Sequence, residues 1–311
     1  MANIICGVDV SSETLDGRIG LEGPRIRVKR TTDGLAELER FCLSHNVDLV
    51  VMEATGGYEK LPFALLWAGG LACAIANPRS VRRYAEALGF LEKTDRIDAG
   101  VIADYGRVKR LVGQPPASEG QTQLRALVAR LRQLTALKVM QMNQRRLLED
   151  APSKASIDEL LVVIRRQLKS FEQAIGELLQ SDPLWQALDQ AFREIKGVAD
   201  RTVAHLLAEM PEIGNLSGKA VAKLAGLAPM AKDSGRRQGR RVIRGGRAPV
   251  RSILFVVASV VRRHEPEFAA FHERLIAVGL SRTEARVALA RKLLVRLNAK
   301  ARDARRALAA A

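Results

Sequence analysis

Cysteine, aromatic residues and long apolar runs are all scarce in this 311-residue chain. Its three cysteines, Cys6, Cys42 and Cys73, lie in apolar segments of the N-terminal third, and no C-x-x-C pair occurs. An odd count argues against a disulfide framework, so the thiols are expected to be buried in a reducing cytoplasm. Aromatic residues make up 4%, which argues against a base-stacking platform. No apolar run approaches the roughly 20 residues that span a bilayer. The opening MANIICGVDV has neither a basic n-region nor a cleavage site, so neither a signal peptide nor a membrane partner is expected. Four catalytic templates are missing: G-x-x-x-x-G-K-[ST], G-x-G-x-x-G after the first strand, G-x-S-x-G and H-E-x-x-H. His45, His205, His264 and His272 show no metal-ligand spacing.

What the chain has is positive charge. The net charge is +16, with 47% apolar and 27% charged residues. That describes a soluble globular protein with a polyanionic partner, nucleic acid above all. The charge is uneven. Residues 1–104 hold 12 basic against 15 acidic residues, and the remainder holds 38 against 19. One region is suited to holding cations and the other to gripping phosphate.

Residues 3–10, NIICGVDV, read as a buried strand. Asp16-Gly17 carries the strongest short hairpin signal, and residues 25–31 alternate as a third strand. An amphipathic helix follows, with Leu35, Leu38 and Cys42 on one face. Then come a strand at 48–54 ending in Glu53, a helix at 60–69, a strand at 71–77, and helices at 79–89 and 95–109. An antiparallel meander followed by α/β units is the order of an RNase H-like (RuvC-like) α/β domain, placed at 1–112. VGQPPASEGQ, residues 112–121, breaks the chain. Leu124, Leu127, Leu131 and Leu134, and after the break EDAPSKAS also Leu161, Ile164, Leu168, Phe171, Ile175 and Leu178, step by 3 and 4. That spacing makes a helical seam over 121–190, read either as an intramolecular hairpin or as a coiled-coil dimerisation arm. Residues 191–311 read as an all-α domain. Within it, IKGVADRTVAHLL resembles a helix-hairpin-helix whose turn at Gly197 offers backbone N–H groups to phosphate.

Two constellations could carry chemistry. Asp9 and Glu53 end neighbouring strands, and Asp95 and Asp98, in KTDRIDA, open a helix. Four converging carboxylates suit Mg²⁺ or Mn²⁺, which take oxygen ligands and stabilise both oxygens of a phosphodiester exchange. The plainer reading is that Asp95 and Asp98 cap the helix, with Thr94 helping. The second set is the loop APMAKDSGRRQGRRVIRGGRAPVR, residues 228–251. It carries seven arginines between 236 and 251. Ser234 stands at its entrance, either as a turn serine or as a nucleophile whose phosphate is neutralised by Arg236, Arg237, Arg240, Arg241, Arg244 and Arg247.

GVDVS, MEATGGY, KTDRIDA, KLAGLAPMAKDSG and RGGRAPVRSIL, in this order along nearly the whole chain, resemble the DEDD transposases of the insertion-sequence one-ten family, relatives of Piv-type DNA invertases. The resemblance implies a RuvC-like domain with Asp9, Glu53, Asp95 and Asp98 as its metal-binding tetrad. It also implies a coiled-coil arm and a C-terminal transposase domain with Ser234 as the residue that forms a phosphoserine link to DNA. The implied partners are donor and target DNA, a noncoding bridge RNA, and a second copy of the chain, with a tetramer in the synaptic complex. The implied location is the nucleoid of a bacterial cytoplasm. The chain departs from the family at Asp233, where a neutral residue is common, and at Gly246-Arg247, where Gly-Asn is common. Three rivals remain: a RuvC-like resolvase or nuclease using metal-activated water, an invertase acting without RNA, and a nucleic-acid-binding scaffold with no catalysis.

Overall fold

The computed structural model describes residues 3–310 apart from 91–94, 232, 235–238 and 240; at 95–98 it describes the backbone alone. The chain forms two compact units, Met1–Ala117 and Ser118–Ala311.

The first unit is built on a five-stranded mixed sheet of order β3-β2-β1-β4-β5. Its strands are β1 (Ile5–Val10), β2 (Thr14–Ile19), β3 (Arg25–Lys29), β4 (Leu49–Glu53) and β5 (Cys73–Ala76). β1 to β3 form an antiparallel meander, and β4 and β5 run parallel to β1 and β4 respectively. This is the topology expected from the sequence. Helices α1 (Thr32–Ser44), α2 (Lys60–Ala68), α3 (Pro78–Ala87) and α4 (Asp95–Lys109) cover it. Because strand side chains alternate, the two faces have separate cores. Cys6, Val8, Val10, Val50 and Met52 pack with Leu35, Leu38 and Cys42 of α1 and Phe63 and Leu66 of α2. Ile5, Leu49 and Val51 pack with Val81 and Ala85 of α3 and with Val101, Ile102 and Tyr105 of α4. All three cysteines are buried as free thiols.

One turn departs from expectation. Asp16-Gly17 is not a hairpin turn but lies inside β2. The β1–β2 turn falls at Ser11–Thr14, where Ser11 N–H donates to the Thr14 carbonyl at 2.9 Å and Thr14 N–H to Ser11 Oγ at 2.8 Å. A serine-bridged turn satisfies the backbone locally, as Asn-Gly and Asp-Gly do. Gly17 serves packing instead: a Cβ there would stand 3.0 Å from both Ile26 and Leu38 side-chain carbons.

The second unit is helical. α5 (Glu119–Leu147) and α6 (Ala151–Ser181) form a hairpin, with Leu124, Leu131, Leu134, Leu161, Ile164, Leu168 and Ile175 buried. The break between them is shorter than EDAPSKAS. Asp150 accepts from Ser153 N–H at 2.8 Å and Pro152 sits in the first turn, so α6 already starts at Ala151. Next come α7 (Pro183–Arg193), α8 (Asp200–Glu209), α9 (Gly218–Leu224), α10 (Ala248–His264), α11 (Pro266–Ala277) and α12 (Arg282–Ala310). Leu124–Leu134 of α5 share one core with Phe192, Leu206, Leu254, Phe268 and Leu293. The unit is not wholly α. Pro229–Met230 (β6) pairs antiparallel with Val242–Ile243 (β7), because the chain leaving α9 must return alongside itself to reach α10.

Candidate active site

The acidic set begins with register. β1 and β4 are parallel, with Val8 opposite Met52. The next residue on each strand is Asp9 or Glu53, so the two carboxylates stand at adjacent strand ends. Alternation puts Asp9 on the face of Ile5 and Gly7, and Glu53 on the face of Leu49 and Val51. That is the α4 face. Both acids are half-buried.

Gly7 sets the position of α4. A Cβ at Gly7 would collide with the Ala99 carbonyl and the Ala103 amide, so the helix backbone lies directly on the strand. Farther along α4, Gly106 lies against Val51 and Ile5. Gly7 and Gly106 thus seat α4 against β1 and β4. Asp104 fastens the same helix. It accepts from the Tyr84 hydroxyl of α3 at 2.5 Å and from Arg107 Nε at 2.8 Å. Burial raises the Asp104 carboxyl, but Tyr84 and Arg107 outweigh it and leave it below its ordinary value. Burial first, then Asp104, pushes the Tyr84 phenol up to about 12.

The loop after β4 explains EATGGY. Gly56 and Gly57 adopt positive φ, 64° and 104°, and the Glu59 carboxylate accepts from the Thr55 and Gly57 amides at 3.0 and 2.9 Å. The chain thereby turns sharply from the Glu53 strand end into α2. One acid escaped the sequence reading. Asp16 is the direct cross-strand partner of Asp9 and also lies 3.7 Å from Arg27. Pairing β1 with β2 around Ser11 would have revealed it.

The Ser234 loop occupies the second unit. Its neck is tight. A Cβ on Gly246 would strike the Gly226 backbone, and one on Gly226 the Gly245 carbonyl; both glycines have positive φ, 70° and 68° respectively for Gly226 and Gly246. Arg251 donates to the Gly245 carbonyl at 2.6 Å, and Arg247 N–H to the Leu224 carbonyl at 2.9 Å. Arg247 also grips Glu212 with both terminal nitrogens, at 2.7 and 2.6 Å, and the Glu209 carbonyl at 2.6 Å. Ser234 itself is exposed. Beside it, Asp233 accepts from Gly239 N–H at 3.0 Å and from Arg241 Nη1 at 2.8 Å. The negative charge that departs from the family pattern thus closes the loop on itself. Arg244 is exposed at the end of β7. Arg236, Arg237 and Arg240 lie outside the described residues. The Gly197 turn has φ +100°, and a Cβ there would stand 3.1 Å from the Val261 amide, so the turn is seated on α10. Its Lys196 N–H donates to Glu265 at 2.9 Å.

Comparison with known proteins decides the family. Residues 6–150 match a DEDD transposase model of the IS110 group, described as "Transposase". Residues 189–273 match "Transposase IS116/IS110/IS902 family". The chain belongs to the IS110 transposase family. It is therefore a DNA-cleaving and rejoining enzyme. Pilin gene-inverting proteins of Moraxella lacunata and Moraxella bovis are each 28% identical to it over 94% of both chains. An uncharacterised 43.6 kDa protein of insertion element IS110 from Streptomyces coelicolor is 31% identical over 48% of this chain and 36% of that protein. The first family match spans the acidic strand ends and α4. The second spans Gly197 and the whole Ser234 loop.

Proposed function

We propose that this transposase exchanges DNA strands at specific sites with Ser234 as nucleophile, assisted by Mg²⁺ or Mn²⁺ held at Asp9, Glu53, Asp95 and Asp98. The observation that supports the reading is the pair of carboxylates, Asp9 and Glu53, at adjacent strand ends on the face that α4 covers. The residues fit a hard divalent cation. They offer only carboxylate oxygens, the ligands such ions take. When bound, such an ion stabilises negative charge on the exchanging phosphate oxygens.

The covalent step uses only the chain and DNA. Ser234 Oγ bonds to phosphorus, the bond to one deoxyribose oxygen breaks, and the serine proton leaves to solvent or a neighbouring base. Reversal with another deoxyribose hydroxyl rejoins the strands, so no energy carrier is consumed. Arg244 and the arginines at 236, 237 and 240 offset phosphate charge, while Arg241 and Arg247 also hold the loop. The Gly197 turn contacts the DNA backbone.

The acids and Ser234 lie in different units, and we propose that a homodimer, paired into a tetramer at synapsis, assembles them, with the α5–α6 hairpin as a coiled-coil arm. The family resemblance supports guidance by a noncoding RNA from the element. The near full-length match to two pilin gene-inverting proteins favours a second reading, inversion of a DNA segment without RNA. Strand exchange on a supercoiled plasmid, with and without RNA transcribed from the DNA flanking the gene, separates the two. In that assay Asp9→Asn and Glu53→Gln should each lower exchange at least about 100-fold while DNA binding persists. Unchanged exchange in both variants would return the acids to a structural role.

A further inference from the structure

A cavity of about 730 Å³ lies between α10, α11 and α12, away from the Ser234 loop in sequence. Each helix contributes one face. Phe255, Ser259 and Arg262 come from α10, His272, Glu273, Ile276 and Ala277 from α11, and Arg282, Thr283, Arg286 and Leu289 from α12.

Three arginines against one glutamate make the rim positive. Arg286 lies over the Phe255 ring, its guanidinium carbon 4.0 Å from the centroid, while Nε donates to the Phe255 carbonyl at 2.7 Å. The hydrogen bond and the ring contact hold this pair on one wall. Arg262 reaches His272, with Nη1 3.2 Å from Nδ1. A guanidinium only donates, so the imidazole accepts there and carries its proton on Nε2. Burial, then Arg262, lowers the His272 pKa. The two side-chain hydroxyls are Ser259 and Thr283.

A cavity of this size takes one small-molecule-sized group. Apolar and planar walls suit a base, and arginines with hydroxyls suit a phosphate. We infer that the α10–α11–α12 cavity is a binding site for one nucleotide of an unpaired nucleic-acid strand. The inference rests on the chain acting on nucleic acid but not on Ser234 or the acids.

The test uses the full chain and fluorescent 20-mers of single-stranded DNA and RNA, each carrying a 4-thio-pyrimidine for crosslinking. Arg282→Glu changes an exposed side chain on the rim, and Ala277→Trp fills the cavity without changing charge. Each should weaken single-strand binding about tenfold while leaving the melting temperature in place. Arg282→Glu should also flatten the salt dependence by about 0.7 in log–log slope for each phosphate that is no longer neutralised. Crosslinks should fall within residues 255–289. Whichever 20-mer binds more tightly identifies the strand, and competition by free nucleoside monophosphate alone would assign the site to a free nucleotide. Unchanged affinity in both variants, or crosslinks confined to other segments, overturns the proposal. If the wild-type chain binds no single strand but still exchanges DNA, the cavity fails while the proposed function stands.

Discussion

Arg241 Nη1 and Asp233 Oδ2 meet 2.8 Å apart, across the loop that carries Ser234. The pair is half exposed, so it contributes at most about 1 kcal/mol to folding. Its effect is local: with the Gly239 amide it ties residue 233 to residues 239 and 241.

Asp233→Ala should therefore leave the thermal midpoint within a degree or two, yet lower strand exchange by about tenfold, because the nucleophile loses its fixed position. The charge swap Asp233→Arg with Arg241→Asp should recover part of the rate. Comparing exchange rates with melting curves checks this. Equal losses of rate and stability would show that the pair merely holds the fold.

Gly7→Ala tests how α4 is placed. The new methyl meets helix backbone, which cannot swing aside as a side chain can. The substitution should cost about 1–3 kcal/mol in urea unfolding and reduce exchange further, since it moves the turn that bears Asp95 and Asp98. Gly20→Ala is the control: its Cβ would meet nothing within 4 Å, although its φ of +58° adds some backbone strain.

Much of the first unit was legible in the sequence, because alternating strands and amphipathic helices leave a periodic record. Asp9 and Glu53 could be placed at strand ends for that reason. Asp16 could not, since Asp-Gly competes as a turn signal and only the Ser11 hydrogen bonds settle the register. Arg247 read as one more phosphate ligand. Its partner Glu212 lies 35 positions earlier, and no local pattern reports a bidentate pair formed by tertiary packing. The seam residues of α5 and α6 were legible, but heptad spacing is the same for a hairpin and for a dimer arm.

The Arg247–Glu212 pair anchors the neck of the serine loop. Arg247→Ala leaves a half-buried carboxylate without that partner and should cost about 1–3 kcal/mol. Burial raises the Glu212 carboxyl, but Arg247 outweighs it and holds the pKa below the ordinary 4.5. A lowered folded pKa means this stability is complete above pH 4.5 and is lost as pH falls through the folded value. Urea unfolding at pH 3 and pH 6 should show a steeper loss in the wild type than in Glu212→Gln.

His205 contributes in a higher pH window. Burial, then Arg132 and Arg201, pulls its pKa from 6.5 to about 4, and its Nδ1 is buried without a hydrogen-bond partner. The unfolded chain takes up this proton at pH values where the folded chain does not. Stability is therefore full above pH 6.5 and declines between 6.5 and about 4, by on the order of 2 kcal/mol. His205→Leu should remove that slope. A wild-type chain equally stable at pH 7.5 and pH 4.5 would contradict the argument.

The most direct measurement is capture of the protein–DNA adduct. Full-length protein, divalent cation and a DNA site interrupted at the scissile phosphate should yield a covalent species, with tandem mass spectrometry placing the nucleotide on Ser234. The adduct should vanish in Ser234→Ala and fall sharply in Asp9→Asn. An adduct on another residue, or strand exchange that persists in Ser234→Ala, would contradict the account.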